Sequence, residues 1–151
     1  MELCIDFGGT EIKLAVIDGA RVVASRRIPV TGTTADLTAA ADEARHLLAT
    51  AGAADAVGIA VPGVVDPATS RMLHANAKYG FLDDFDLDGW ALTEFGLPAA
   101  VDNDARAALI GETGGTTAST AGVLALGMII VMTAVMLAYG RLMARAARWQ
   151  R

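Results

Sequence analysis

The sequence predicts an α/β fold in which helices pack against a sheet, and three stretches carry this prediction. The first is a pair of apolar runs joined at Gly8-Gly9, which is typical of two strands and a tight turn. The second is a helical-period apolar stripe over residues 34–52, followed by a continuous apolar run at 56–61 that indicates a covered strand. The third is a strand expected at 98–101, which leads through polar residues into a helix.

The remaining elements follow from the same periodicities, because glycine and proline interrupt each apolar run. A lone Cys4 in the first strand is expected to be a small core residue. Residues 75–89 are expected to form a solvated surface loop. Strands are expected at Glu2–Phe7, Ile12–Asp18, Arg21–Val30, 56–61, Met72–His74 and Pro98–Val101, and helices after Thr34 or Asp36, at Trp90–Phe95 and at Ala105–Gly111.

The first turn is a candidate phosphate site. Successive backbone N–H groups in a glycine turn can hold phosphate oxygens, and Gly8, Gly9 and Thr10 provide such a turn. Asp6, just before the turn, can hold Mg²⁺ through water, since Mg²⁺ prefers oxygen ligands and keeps several waters. A plain hairpin with a glycine turn is the alternative. The turn matches neither the Walker A motif nor the dinucleotide fingerprint.

A second candidate site is the cluster Asp102-Asn103-Asp104, which lies between the last predicted strand and a helix. Aspartate and asparagine are ordinary helix N-caps, and that interpretation stays open. Polar groups at the carboxyl end of a strand are also where open α/β sheets bind their ligands. A carboxylate placed there can act as a general base on a substrate hydroxyl.

Composition excludes several function classes. All 17 acidic residues lie within residues 1–112, with eight of the 12 basic ones, and an acidic body argues against nucleic-acid binding. One cysteine excludes an internal disulfide and a cysteine-rich zinc site. The first residues do not read as a signal peptide, since Glu2 and Asp6 flank only a short apolar run. We therefore expect a cytoplasmic protein.

Three ordered motifs resemble the ROK family (repressors, open reading frames, sugar kinases). They are Asp6–Thr10, Gly58–Gly63 and Asn103–Glu112, and the stretches Asn76–Tyr79 and Phe95–Pro98 also fit. The resemblance covers residues 1–112 as an N-terminal kinase lobe. It implies the actin-like, ribonuclease-H-like fold, with a mixed sheet and flanking helices, in which two lobes close on ATP and a hexose.

The resemblance also implies roles for individual residues. Gly8, Gly9 and Thr10 would contact ATP phosphate, and Asp6 would place Mg²⁺. Asp104 would be the base that takes the proton from the sugar hydroxyl attacking the γ-phosphate. The sugar would be bound by three further residues, Gly63, Asn76 and Asn103. A glucose-like hexose is the expected substrate.

The chain departs from the family pattern after residue 112. Family kinases are longer and carry a sugar motif and a zinc motif in their second half, and neither is present here, so no zinc site is expected. Bulky apolar residues at 128–132 replace a second glycine-rich phosphate loop, and side chains keep phosphate away from the backbone. We therefore expect impaired turnover. A repressor's DNA-binding motif would precede Asp6, where the sequence has only five residues.

Residues 113–151 form a distinct segment, with no charge from Thr113 to Gly140 and four arginines after it. It is either the apolar start of a second lobe, with strands at 123–126 and 129–137, or a membrane segment through residues 122–139. A helix of 18 such residues spans about 27 Å, close to the hydrocarbon thickness of a bilayer. The rival functions are accordingly a non-catalytic module that binds sugar or a partner chain, or a membrane-anchored remnant of a kinase. An exposed apolar segment would also favour a homo-oligomer or another partner chain.

Overall fold

The structure is a computed structural model that describes residues 1–66 and 68–107. The predictions for residues 113–151, both the soluble strands and the membrane segment at 122–139, lie outside the described residues. So do the domain boundary at 112 and most of the helix expected at Ala105–Gly111, of which a turn over residues 104–107 is described. Within the described ranges, no helix is long and apolar enough to cross a membrane.

A mixed sheet is the centre of the fold. The described strands are β1 (Glu2–Phe7), β2 (Glu11–Asp18), β3 (Arg21–Pro29), β4 (Ala56–Val61), β5 (Gly63–Asp66), β6 (Arg71–Ala75) and β7 (Ala99–Asn103). Five of them form this sheet in the order β3-β2-β1-β4-β7. β1 pairs antiparallel with β2 and parallel with β4, and β4 pairs parallel with β7.

Burial along the strands explains their apolar sequences. Every residue of β4 is buried, as are all residues of β1 after Glu2, which confirms the continuous apolar runs as covered strands. Cys4 is buried as expected, and burial raises the pKa of its thiol to about 12. β3 lies at one edge of the sheet and is half-exposed, as its arginines require.

Helix α1 (Ala35–Ala51) packs its apolar stripe onto the sheet, as predicted, and Gly52 ends it with a positive φ of 112°. Thr34 occupies the N-cap position, but its side chain makes no capping hydrogen bond. The Asp36 carboxylate instead accepts from the backbone N–H groups of Thr31 and Gly32, both at 2.9 Å. The acidic residue therefore fixes the turn before the helix. The buried residues of the stripe are Leu37, Ala40, Ala41, Ala44 and Leu47.

The prediction of a surface loop over residues 75–89 is wrong. The segment forms a 3₁₀ helix (Ala77–Leu82) and the start of helix α2 (Leu87–Phe95). Its polar residues serve as caps rather than as solvated loop, since Asn76 Oδ1 accepts from the N–H of Lys78 and Asp86 Oδ1 from that of Gly89. Its apolar residues enter the core.

The core beneath this segment is aromatic. Phe7, the last residue of β1, contacts Tyr79 and Trp90 in edge-to-face geometry, with ring centroids 5.8 and 6.3 Å apart. Leu82 and Leu87 are fully buried beside them. These contacts hold the 3₁₀ helix and α2 against the end of β1, directly under the glycine turn.

Candidate functional site

Three polar stretches meet at one edge of the sheet. β1, β4 and β7 are parallel, so their carboxyl ends lie together, as they do at ligand sites of open α/β sheets. The glycine turn follows β1, Pro62-Gly63 follows β4, and Asn103-Asp104 ends β7. The side-chain amide of Asn103 donates to the carbonyl of Gly63 at 2.7 Å, which joins two of the stretches.

The two glycines of the turn differ in the space that surrounds them. The Gly8 N–H lies 3.1 Å from the Glu11 carbonyl, and a Cβ built on Gly8 would be 2.6 Å from that oxygen. A side chain at Gly8 would therefore displace backbone. A Cβ on Gly9 would meet nothing within 4 Å, and both Gly9 and Thr10 are exposed. The open side of the turn is over Gly9.

Asp6 is buried beneath this turn, with 7% of the residue exposed. Burial raises the pKa of its carboxyl, the ammonium of Lys13 counteracts that rise, and the charge of Asp104 adds to it. Lys13 Nζ lies 3.0 Å from Asp6 Oδ2, because β1 and β2 pair these two residues in register. This contribution of Asp104 to the pKa of Asp6 is in keeping with the positions of the two residues at the carboxyl ends of β1 and β7, which both pair parallel with β4.

Lys13 was missed by sequence reasoning, although a signal existed. It is the one charged side chain between Ile12 and Ile17, within a strand whose neighbours are buried. A cation inside an apolar strand needs a partner, because an unpaired buried charge is costly. What the sequence did not contain was the register that places this lysine opposite Asp6.

Two further residues of the site come from the mispredicted segment. The Tyr79 hydroxyl donates to the Gly8 carbonyl at 2.7 Å, and Lys78 Nζ donates to the Gly9 carbonyl at 2.5 Å. Both contacts span about seventy residues of sequence, and the donors follow Asn76 on the 3₁₀ helix. The glycine turn is therefore held by side chains from outside its hairpin.

Gly63 and Asn76, the predicted sugar ligands, have evident structural roles. A Cβ on Gly63 would lie 2.4 Å from the His74 carbonyl, so the pairing of β5 with β6 requires glycine there. Asn76 caps the 3₁₀ helix, and its N–H donates to the Pro62 carbonyl at 3.2 Å. Both residues lie near the edge, and their contact with a sugar stays a prediction.

The cluster at the end of β7 combines a helix cap with a carboxylate. Asn103 Oδ1 accepts from the N–H groups of Ala105 and Arg106, which is N-cap geometry. Asp102 Oδ2 lies 3.4 Å from Arg106 Nε. Asp104 is half-buried, and its Oδ1 accepts from the N–H of Ala105 at 2.7 Å. The capping interpretation is confirmed for Asn103, whereas the role of Asp104 as a general base stays a prediction.

The residues at this edge fit a phosphate ligand with a hydrated cation. The space over Gly9 is open, and Gly9 and Thr10 are exposed, so an anion can approach the turn. Asp6 and Asp104 are oxygen donors of the kind that Mg²⁺ takes while keeping water. Within residues 1–66 and 68–107, no cluster of three metal-binding side chains occurs, so any cation here would be held largely by water and ligand.

Comparisons with known proteins agree with this geometry. The model of the ROK family matches residues 2–133. A β-glucoside kinase of Listeria monocytogenes is 32% identical over 108 residues, which are 71% of this chain and 36% of that kinase. This chain therefore spans little more than a third of the length of the curated relative.

Solved structures give the same result for the fold. A ROK hexokinase from Thermus thermophilus matches with a TM-score of 0.64 at 26% identity, over 73% of this chain and 37% of that one. A ROK glucokinase from Streptomyces griseus, in complex with glucose and AMPPNP, matches with a TM-score of 0.61 at 27% identity, over 79% and 38%. The predicted actin-like α/β fold is confirmed.

Proposed function

The chain belongs to the ROK family, and we propose that it forms the sugar- and nucleotide-binding lobe of an ATP-dependent kinase for a glucose-like hexose. The observation that carries the proposal is the convergence of Asp104 with the open glycine turn at one sheet edge. A base and a phosphate cradle in one site are the two parts that phosphoryl transfer to a hydroxyl needs.

Each residue has a defined task in this proposal. Asp104 takes the proton from the sugar hydroxyl as its oxygen attacks, and Asn103 and Asn76 orient the sugar together with Gly63. The N–H groups of Gly9 and Thr10 hold phosphate oxygens, and ATP supplies the phosphoryl group. Asp6 would hold a hydrated Mg²⁺, which would neutralise charge on the phosphates. Catalysis of this kind depends mainly on positioning and charge neutralisation.

The identity of the sugar is proposed from the relatives. The L. monocytogenes relative is a β-glucoside kinase, and the S. griseus structure contains glucose. A glucose ring is common to both ligands, which supports a glucose-like hexose or its β-glucoside. The same comparison supports ATP as the phosphoryl donor, since AMPPNP is an ATP analogue.

A second candidate function is a non-catalytic module that binds sugar or pairs with another chain. One observation favours it: apolar residues at 128–132 stand where the family has a second glycine-rich loop. On this basis we also propose that turnover by this chain is impaired.

ADP release by the purified full chain tests the first function. The assay contains ATP, Mg²⁺ and a panel of glucose, mannose, fructose, N-acetyl amino sugars and a β-glucoside. Sugar-dependent release should fall by about 10²- to 10⁴-fold in Asp104→Asn, which removes the base and keeps its shape. Asp102→Asn is the matched control, since that carboxylate pairs with Arg106, and its release should stay close to wild type.

Two results would contradict the proposal. Undiminished release in Asp104→Asn would exclude this residue as the base. Absence of release from a folded chain that still binds sugar in calorimetry would favour the non-catalytic module.

We propose a cytoplasmic location, where ATP is available, and expect the chain in the soluble fraction after lysis. Retention in membranes after carbonate washing would instead support the anchor at residues 122–139. The apparent mass in solution tests the proposed homo-oligomer or partner chain.

A further inference from the structure

We propose that Tyr79 and Lys78 are positioning residues that aim the N–H groups of Gly9 and Thr10 at the ligand of the glycine turn. The inference rests on the proposed function only for the identity of that ligand, a nucleotide phosphate. Both residues lie in the stretch Asn76–Tyr79 that fits the family, but the sequence analysis assigned neither of them a role in the site.

The geometry of the peptide bond is the first step. The Gly8 carbonyl and the Gly9 N–H belong to one peptide unit, and the Gly9 carbonyl and the Thr10 N–H belong to the next. The units are trans, so the N–H of each points opposite to its carbonyl. Tyr79 and Lys78 donate to the two carbonyls, so the two N–H groups must face away from these donors.

The second step concerns rotation of these units. Glycine has few steric restrictions, so an isolated Gly-Gly turn can flip its peptide planes at low cost. Gly8 is held by its N–H, which lies 3.1 Å from the Glu11 carbonyl, whereas Gly9 is exposed and a Cβ there would meet nothing within 4 Å. The carbonyl contacts from the 3₁₀ helix are what restrict the two flexible units.

The third step is the rigidity of the donors. Tyr79 is fully buried, and its ring packs edge-to-face on Phe7 with centroids 5.8 Å apart. Burial raises the pKa of its hydroxyl far above the physiological range, with Asp36 and Asp6 adding to the effect, so the hydroxyl keeps the proton that it donates. Lys78 follows the capping residue Asn76, whose Oδ1 accepts from the Lys78 N–H at 3.1 Å.

A ligand-free measurement tests the orientation directly. Carbonyl ¹³C chemical shifts report hydrogen bonds accepted by each carbonyl, so Tyr79→Phe should move the Gly8 signal and Lys78→Met the Gly9 signal. Thr93→Val removes another hydroxyl that donates to a glycine carbonyl, that of Gly89, and should leave both turn signals in place. Unchanged signals in Tyr79→Phe and Lys78→Met would overturn the inference.

A titration with ADP and Mg²⁺ tests the consequence for binding. Loss of one orienting hydrogen bond should weaken ADP binding about tenfold in Tyr79→Phe. Lys78→Met should also weaken ADP binding, and Lys78→Arg should restore it. Arg71→Met is the matched control for Lys78, since Arg71 also donates to a carbonyl, that of Asp84. Wild-type affinity in both Tyr79→Phe and Lys78→Met would overturn the inference.

The variant Phe81→Leu distinguishes a positioning role of Tyr79 from a purely structural one. The rings of Phe81 and Tyr79 have centroids 5.8 Å apart, so this change loosens the packing of Tyr79 but keeps the Tyr79 hydroxyl. We expect a lower melting temperature with unchanged ADP affinity; an equal loss of ADP affinity in Phe81→Leu would overturn the positioning role. If the wild-type chain binds no ADP, the proposed function fails, while the carbonyl shifts still decide whether Tyr79 and Lys78 set the orientation.

Discussion

The ends of β1 and β7 face the same site, but they are held in different ways. At the end of β7, the hydrogen bonds of Asp102, Asn103 and Asp104 go mainly to backbone groups within three residues. At the end of β1, the carboxylate of Asp6 pairs with Lys13, and the carbonyls after it accept hydrogen bonds from Lys78 and Tyr79.

This difference separates a locally encoded half of the site from a half that depends on tertiary contacts. The β7 end is a helix N-terminus, and its geometry follows from residues that prefer that position. The β1 end contains two glycines with little preference of their own, so contacts from other elements must determine its shape. Variants at the two ends should therefore differ in the size and pH dependence of their effects.

The largest loss of stability is expected for Lys13→Met. It leaves the buried Asp6 carboxylate without its cation, which should lower the free energy of unfolding at neutral pH by about 2–3 kcal/mol. The pKa of Asp6 is already raised from 3.8, so the folded chain holds this proton more tightly than the unfolded chain does. The contribution of Asp6 to stability is therefore fully present below pH 3.8 and is lost as pH rises through its folded-state pKa.

Urea titrations across pH check this prediction. Lys13→Met should match wild type most closely at acidic pH and diverge as pH rises, because it raises the Asp6 pKa further. The double variant Asp6→Asn/Lys13→Met should recover most of the loss, since no buried charge remains. A loss that is equal at all pH values would show that Lys13 contributes packing rather than charge.

A smaller effect is expected from Gly8→Ala, with Gly9→Ala as its matched control. The new Cβ at Gly8 would lie 2.6 Å from the Glu11 carbonyl oxygen, so the turn must shift at a cost of about 1–3 kcal/mol. The Cβ at Gly9 meets nothing within 4 Å, so stability should change by less than about 0.5 kcal/mol.

ADP binding should separate the two glycine variants again. Gly9→Ala should weaken ADP binding by filling the space over the turn, and Gly9→Val should weaken it more strongly. Thermal melts and ADP titrations on the same samples measure the stability and the ADP affinity of each variant. Unchanged nucleotide affinity in Gly9→Val would exclude the turn as the phosphate cradle.

An effect smaller than that of Gly8→Ala is expected at the β7 end, for Asn103→Ala. It removes the helix cap and should cost about 1 kcal/mol. Asn103→Asp keeps the capping oxygen but loses the amide that donates to the Gly63 carbonyl, so part of the loss should remain. Equal stability of Asn103→Ala and wild type in urea would show that the local contacts do not hold this end.

Particular residues show how far the sequence could predict the fold. The strand Glu2–Phe7 has its predicted bounds, and β2 and β3 differ from prediction by one residue at one end each. Local periodicity and the glycine and proline breaks determine these elements. Residues 75–89 were mispredicted because Asp83 and Asp86 suggested a solvated loop. In the fold, Asp83 accepts from the Ala75 N–H, and Asp86 caps α2.

The candidate site divides in the same way. The sequence alone indicated the glycine turn and Asp104 as candidate site residues, because a short motif contains each of them together with its local geometry. It could not identify Lys13, Lys78 or Tyr79 as parts of the site. Their roles depend on the register of β1 with β2 and on contacts across about seventy residues, which no local pattern encodes.

The sequence by itself therefore predicted six of the seven described strands, helix α1 and the motifs of the ROK family, but neither β5 nor the 3₁₀ helix. Tertiary structure alone decided which cation faces Asp6 and which donors hold the carbonyls of Gly8 and Gly9. The physical reason is that secondary structure depends on neighbours in the chain, whereas a glycine turn takes its orientation from whatever packs against it.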